Sequence, residues 1–203
     1  MNQLKKILKF VGKLPTWLLL IVFLASLSLS VYSLRSNNRE MIRLRNTVYE
    51  ADKTNSGINN ALNNLRSYVY THMNTNLSSG GNPIKPPIQL KYSYERLQTA
   101  EQQRVDAANS SVYTDAQSYC QALNPDSFSG RTRVPCVQDY VSVHGVEANK
   151  IPAELYQFDF VSPAWSPDLA GWSLAATGLL FMGLLASFSV DRMVRARVKS
   201  QQI

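Results

Sequence analysis

Two histidines and two cysteines are all that the 203 residues contain of the side chains that most often ligate transition metals. That is too few for a zinc pattern, and the Cys120 to Cys136 spacing is not one. His144 and Glu147 in His-Gly-Val-Glu have no second histidine beside them, and His72 falls on an apolar stripe where a packed histidine is the commoner explanation. Also missing are a glycine-rich loop to cradle phosphate, a nucleophile elbow and a paired-histidine helix. No catalytic residue, metal or cofactor is therefore expected. Charge is absent from two long stretches: residues 16–34 and 169–190 hold no Asp, Glu, Lys, Arg or His. At about 1.5 Å per helical residue, each run matches a hydrocarbon core about 30 Å thick.

The charge that is present has an uneven distribution. The chain carries a net +7, and all of it lies outside the two uncharged runs. Lys5, Lys6, Lys9 and Lys13 precede the first, while Arg192, Arg195, Arg197 and Lys199 follow the second against Asp191. Residues 35–168 hold 13 basic and 13 acidic side chains and balance to zero. The segment before Leu169 lacks Lys and Arg, so the positive-inside bias places the C-terminus in the cytoplasm. Arg35, Arg39, Arg43 and Arg45 follow the first run and rival its four lysines, but an even number of spans puts both tails on the same side. The expected layout is a cytoplasmic basic tail (1–15), a first span (16–34), an extracytoplasmic helical domain (35–168), a second span (169–190) and a second basic tail (191–203). Trp17, Tyr32, Trp165 and Trp172 sit where interface anchors belong. The segment from Lys5 to Leu29 also reads as a signal peptide with Ser28 and Ser30 near a cleavage point, which would leave the loop on the same side. Positive-inside bias accounts for the basic tails, so no nucleic-acid partner is inferred; membrane lipids are.

Within the spans, Ser26, Ser30 and Ser33 share one helical face, and Gly171 with Ala175, then Gly183 with Ser187, form small-residue pairs four apart. Such stripes suit close helix contact in lipid. Beyond the first span, Met41, Leu44, Val48, Ala51, Asn55, Ile58, Leu62, Leu65, Val69 and His72 recur at helical spacing, so one helix is expected to run to about Leu77. Asn55, Ser56 and Gly57 are the weak point, where a kink or turn is the alternative. The breaker run 78–87, with two glycines and three prolines, is then a distal turn. A return helix through Tyr94, Leu97, Val105, Val112 and Leu123 follows, and its charged face (Glu95, Arg96, Glu101, Arg104, Asp106) reads as solvated. The first helix would reach roughly 65 Å from the membrane and the return helix would recover roughly 45 Å.

Cys120 and Cys136 flank a polar stretch with Pro125, Gly130 and Pro135. In an oxidising compartment they imply one disulfide closing that loop, worth about 3 kcal/mol on the chain-entropy model; two free thiols or half a metal site are the alternatives. Tyr156, Phe158 and Phe160 alternate as in a strand, although Pro152, Pro163 and Pro167 argue against a central one. These rings are expected to cap the base of the helical hairpin, with a place in the membrane interface or a partner-binding patch as the alternatives.

The fold expected is thus an all-α membrane protein: two transmembrane helices flanking an extracytoplasmic, coiled-coil-like helical hairpin with a disulfide-closed loop. A single apolar stripe per helix buries little alone, so a homodimer is expected, its seam built from Leu44, Val48, Asn55, Ile58, Leu62, Leu65 and Val69. The function expected is non-enzymatic sensing or scaffolding through an unidentified membrane or extracytoplasmic protein partner. In layout alone the chain is similar to sensor modules of the chemoreceptor type and to polysaccharide chain-length regulators. A membrane-associated enzyme subunit would need a polar site from residues such as Asp139, His144, Glu147 and Asp159.

Overall fold

From residue 16 to residue 54 the chain has neither proline nor glycine, and it forms one helix, α1 (Thr16–Thr54). The structure is a computed structural model that describes residues 16–79, 84–123 and 130–200, without the side chains of 130–132, 191 and 193–200. The lysines of the first tail, Pro125 and residues 201–203 lie outside the described residues, and of the second tail only the Arg192 side chain is described. The further elements are α2 (Ile58–Thr71), β1 (Ile88–Gln89), α3 (Lys91–Leu123), α4 (Gly130–His144), a 3-10 turn (Ala153–Leu155), β2 (Gln157–Phe158) and α5 (Leu169–Ser200). Among the described residues the protein is helical apart from the two-residue strands, and two of the helices, α1 and α5, are long and apolar enough to cross a membrane. It divides into two compact units, one of residues 1–48, 57–87 and 159–203, the other of 49–56 and 88–158.

The expectation of one helix to Leu77 is overturned at Asn55. This residue has φ 53° and Gly57 has φ 67°, so both lie in the left-handed region. The Ser56 amide donates to the Ala51 carbonyl (3.1 Å) and the Asn55 amide to the Asp52 carbonyl (3.3 Å). That pair of bonds is the Schellman closure of a helix, with Asn in the position where only Gly is more common. The chain reverses here, and residues 73–79 return beside residues 34–45. The Asn74 side chain donates to the Leu34 carbonyl (3.0 Å), Asn37 to the Met73 carbonyl (3.3 Å) and Arg45 to the Leu77 carbonyl (2.7 Å). The reversal therefore comes at 55–57 and not at the glycine-rich and proline-rich run, of which residues 80–83 lie outside the described set. The apolar stripe keeps its register across the break because each of the two helices buries its own apolar face, so periodicity alone reads the same for a turn as for a continuous helix.

A substitution at this turn distinguishes the two readings. On a continuous helix Asn55→Leu would stabilise, whereas at left-handed φ it is expected to cost about 1–2 kcal/mol. Asn55→Gly is expected to be neutral or mildly stabilising at the same site. Thermal unfolding of both variants measures the sign directly.

In the first unit the buried apolar side chains include Met41, Val48, Leu62, Leu65, Val69, Met73 and Leu77. Phe160 joins them, with Tyr70 edge-on at 6.1 Å and the Arg66 guanidinium 5.1 Å from its ring centre. In the second unit β1 and β2 pair antiparallel, Ile88 opposite Phe158 and Gln89 opposite Gln157. The short pair agrees with the aromatic alternation and leaves the prolines outside the ladder. The return helix appears as α3. The stretch read as a polar loop instead contains α4, with Pro135 inside it. As the sixth residue of α4, Pro135 removes one intrahelical bond and crowds the carbonyl four residues before it, yet the helix continues to His144. The disulfide between Cys120 and Cys136 joins α3 to α4, with their Cα atoms 6.0 Å apart.

Candidate functional site

The most organised polar structure is a ladder between the two apolar helices. Ser26 Oγ lies 2.7 Å from Thr177 Oγ1, Ser30 Oγ lies 2.9 Å from the same hydroxyl, and Ser33 Oγ lies 3.3 Å from Ser173 Oγ. Phe23 and Phe181 meet at 5.8 Å beyond one end of it. Along the ladder the residue number falls on one helix as it rises on the other, so α1 and α5 run antiparallel. Ser30, Ser33, Ser173 and Thr177 also lie within hydrogen-bond distance of carbonyls of their own helices. Since a hydroxyl has one proton, in the Ser30–Thr177 and Ser33–Ser173 pairs one partner donates across the helices while the other donates back. An apolar surround makes an unpaired hydroxyl costly, and with one partner of each pair donating across and the other donating back, every one of the four has a hydrogen-bond partner.

The serine face on α1 is thus the one expected, whereas its counterpart on α5 is Ser173 and Thr177, which the small-residue pattern passed over. Of the expected pairs, Gly183 has open space where a Cβ would go. At Gly171 a Cβ would sit 1.8 Å from the Ser166 carbonyl oxygen, so that glycine serves the turn before α5 and not the helix contact.

At the other end the ladder runs into a polar junction. Asp168 caps α5, its Oδ1 accepting from the Gly171 amide (2.9 Å) and from Ser166 Oγ (2.9 Å). Its Oδ2 accepts from Asn37 Nδ2 at 2.7 Å. Ser166 is fully buried and accepts from the Met73 amide at 2.9 Å. Burial acts to raise the pKa of Asp168, but the bonds from Gly171, Asn37 and Ser166, with attraction from His72, outweigh it and hold the carboxyl below its ordinary value. One aspartate therefore fastens α1, the 72–77 segment and the start of α5. His72 stacks on Tyr68 with ring centres 4.0 Å apart, the packed role expected for it. Nearby, Arg45 is buried and donates to the carbonyls of Leu77 and Ser79, both at 2.7 Å.

The second unit has its own node. Asp52 is buried, and its carboxylate accepts from the amides of Tyr92 (2.9 Å) and Ser93 (2.8 Å), the Ser93 hydroxyl (2.6 Å) and Arg96 Nη2 (3.1 Å). It thereby caps the start of α3 from another element, using donors that an isolated helix leaves unpaired. Farther along α3, Glu101 accepts from Arg104 and from the Asn149 amide (2.6 Å), which together bring its pKa down to about 2. Asn109 makes both hydrogen bonds to the Val146 backbone, at 2.8 and 3.0 Å. The face of α3 read as solvated is in part a clamp for residues 146–149. Beside it Tyr94, Gln98, Glu101, Asn149, Lys150 and Tyr156 line an open cleft of about 280 Å³.

Of the residues an enzyme would need, Asp139 and His144 line a shallow recess with Tyr119 and Tyr140. Glu147 contributes its backbone carbonyl to Arg104, and Asp159 belongs to the other unit. Among the described residues no three His, Cys, Asp or Glu side chains are grouped to hold a metal. Of the expected seam, Val48, Leu62, Leu65 and Val69 are buried within one chain, Leu44 and Ile58 are half-buried, and Asn55 is exposed in the turn. The buried four are therefore not available to a second copy. Trp17, Tyr32, Trp165 and Trp172 are all exposed, and Trp165 meets Trp172 edge-on at 5.7 Å. Compared with known protein families, curated proteins and solved structures, the chain finds no match.

Proposed function

We propose that the chain is a two-pass protein of the cytoplasmic membrane, with both tails in the cytoplasm and residues 35–168 outside. Its outer domain is a non-enzymatic sensing or scaffolding module that acts through a membrane or extracytoplasmic protein partner. The hydroxyl ladder carries this reading. Two uncharged helical runs, 16–34 and 169–190, that meet through paired Ser and Thr hydroxyls, with apolar side chains turned outward, suit lipid far better than water. The Asp168 junction ties that pair to the outer segment, so a load on the outer domain would reach both spans through side chains already in contact. Dimerisation is not part of the proposal, because the stripe that called for a second copy is covered within one chain. The second reading is a chain-length-regulator-like membrane protein, to which the likeness is one of layout alone.

Topology is tested with single added cysteines and a membrane-impermeant maleimide. Ser110→Cys is expected to label in intact cells, and Gln3→Cys and Gln201→Cys only after lysis. Labelling of both tails in intact cells would reverse the orientation. The partner is tested by impermeant cross-linking of intact cells. A higher-mass species containing this chain and a second protein is expected, and its absence would remove the scaffolding half of the proposal.

A further inference from the structure

Four arginines follow the first apolar run on the side where positive charge is least expected, and the structure separates them into two kinds. Arg43 forms an ion pair with Glu40, Nε to Oε2 at 2.8 Å. Arg45 is buried against the Leu77 and Ser79 carbonyls. Arg35 and Arg39 are exposed and have no carboxylate partner among the described residues. They lie four residues apart, hence on one face of α1. That face is a groove of about 450 Å³ whose lining changes character along its length, from Leu27, Val31 and Ser28, whose hydroxyl is turned back to the Leu24 carbonyl (2.9 Å), to Tyr32, Arg35, Ser36 and Arg39.

We propose that this groove is a binding site for one anionic phospholipid of the outer leaflet, an inference that rests on the two-pass reading. The phosphate lies between the Arg35 and Arg39 guanidiniums, where planar N–H forks match its oxygens. Ser36 and the Tyr32 hydroxyl are available to the rest of the headgroup. An acyl chain lies along Leu27 and Val31, which are 40% and 43% exposed in the chain alone. The order of chemistry along the helix, apolar then aromatic then cationic, is that of a lipid from tail to phosphate, and the change to cationic falls where the uncharged run ends. A neighbouring protein's transmembrane helix would fill the apolar half but leave both guanidiniums facing the headgroup region without a fixed anion.

The full chain is reconstituted in nanodiscs of equal phosphatidylglycerol and phosphatidylcholine, released in the mass spectrometer, and its retained lipids counted. Wild type is expected to keep phosphatidylglycerol in preference, and R35Q/R39Q to lose it by roughly tenfold or more. Arg43→Gln is the matched control and is expected to change nothing. Equal retention of the two lipids by wild type, or undiminished retention by the double variant, would overturn the site. Should the double variant fail to fold by circular dichroism, the single variants R35Q and R39Q decide. Each is expected to retain less phosphatidylglycerol than wild type, and undiminished retention by both would overturn the site, because the basic tails attract anionic lipid equally in all of them. A photoreactive residue at Val31 that cross-links to a protein instead of lipid would also overturn it. Alkaline carbonate extraction keeps the two levels apart: wild type that stays in the membrane but shows no lipid preference refutes the site and leaves the two-pass reading standing, while wild type that is released refutes both.

Discussion

Asp52→Ala is expected to lower stability by about 2–3 kcal/mol, because it removes a buried carboxylate that accepts the first amides of α3, while its partner Arg96, 36% exposed, regains water. The carboxylate is 2% exposed as a residue and meets four donors, two of them the amides that open α3. Its loss leaves Arg96 with the carbonyl of residue 52 (3.0 Å) and the Ser93 hydroxyl (2.8 Å), and strips the amides of Tyr92 and Ser93 of their acceptors. Asp52→Asn keeps one accepting oxygen in nearly the same place and is expected to recover a substantial part of the loss. Denaturant unfolding in detergent, followed by circular dichroism, measures both. A change below about 1 kcal/mol for the alanine variant would mean that the node is solvated, because exposed pairs contribute only that much.

Leu65→Ala is expected to cost about 2–5 kcal/mol, since Leu65 is fully buried and its removal leaves a cavity. Asn59→Ala and Asn63→Ala, on the exposed face of the same helix, are expected to stay within about 0.5 kcal/mol. The oligomeric state is the more discriminating readout. Because Leu65 is covered inside one chain, its truncation should lower unfolding stability without changing the mass measured by analytical ultracentrifugation. A variant that keeps its unfolding stability but dissociates would return the stripe to an interface between copies.

The stripe shows how far periodicity reaches. Met41, Val48, Leu62, Leu65 and Val69 were legible as buried positions, and they are buried. What buries them was not legible, because a continuous helix paired with a second copy and two helices folded at Asn55 place the same residues on apolar faces. The choice between them lies in a turn of three residues. Asn accepts a left-handed φ at small cost, and the Schellman bonds recover the carbonyls that the break would leave free. The signal was present in Asn-Ser-Gly, but its weight depends on a competing continuation worth only a few tenths of a kcal/mol per residue.

The same division runs through the polar residues. Ser26, Ser30 and Ser33 lie on one face by helix geometry alone, but Ser173 and Thr177 could be chosen over the glycine pairs only once the rotation of α5 was known. Arg96, Glu101 and Arg104 have the look of a solvated helix face, and Asp52 gives no sign of where its four donors come from, since they lie 40 or more residues away along the chain. The two uncharged runs, their basic flanks, the helix at 91–123 and the pairing of the cysteines rest on properties of short segments: charge, length, propensity and an even count of thiols. The reversal at Asn55, helix α4 through Pro135, the Asp168 junction and the sorting of four arginines into two engaged and two exposed rest on contacts between segments remote in sequence. Composition and spacing specify which groups must find partners; the folded packing specifies which partners they find, because desolvation penalises every buried donor, acceptor or charge left alone.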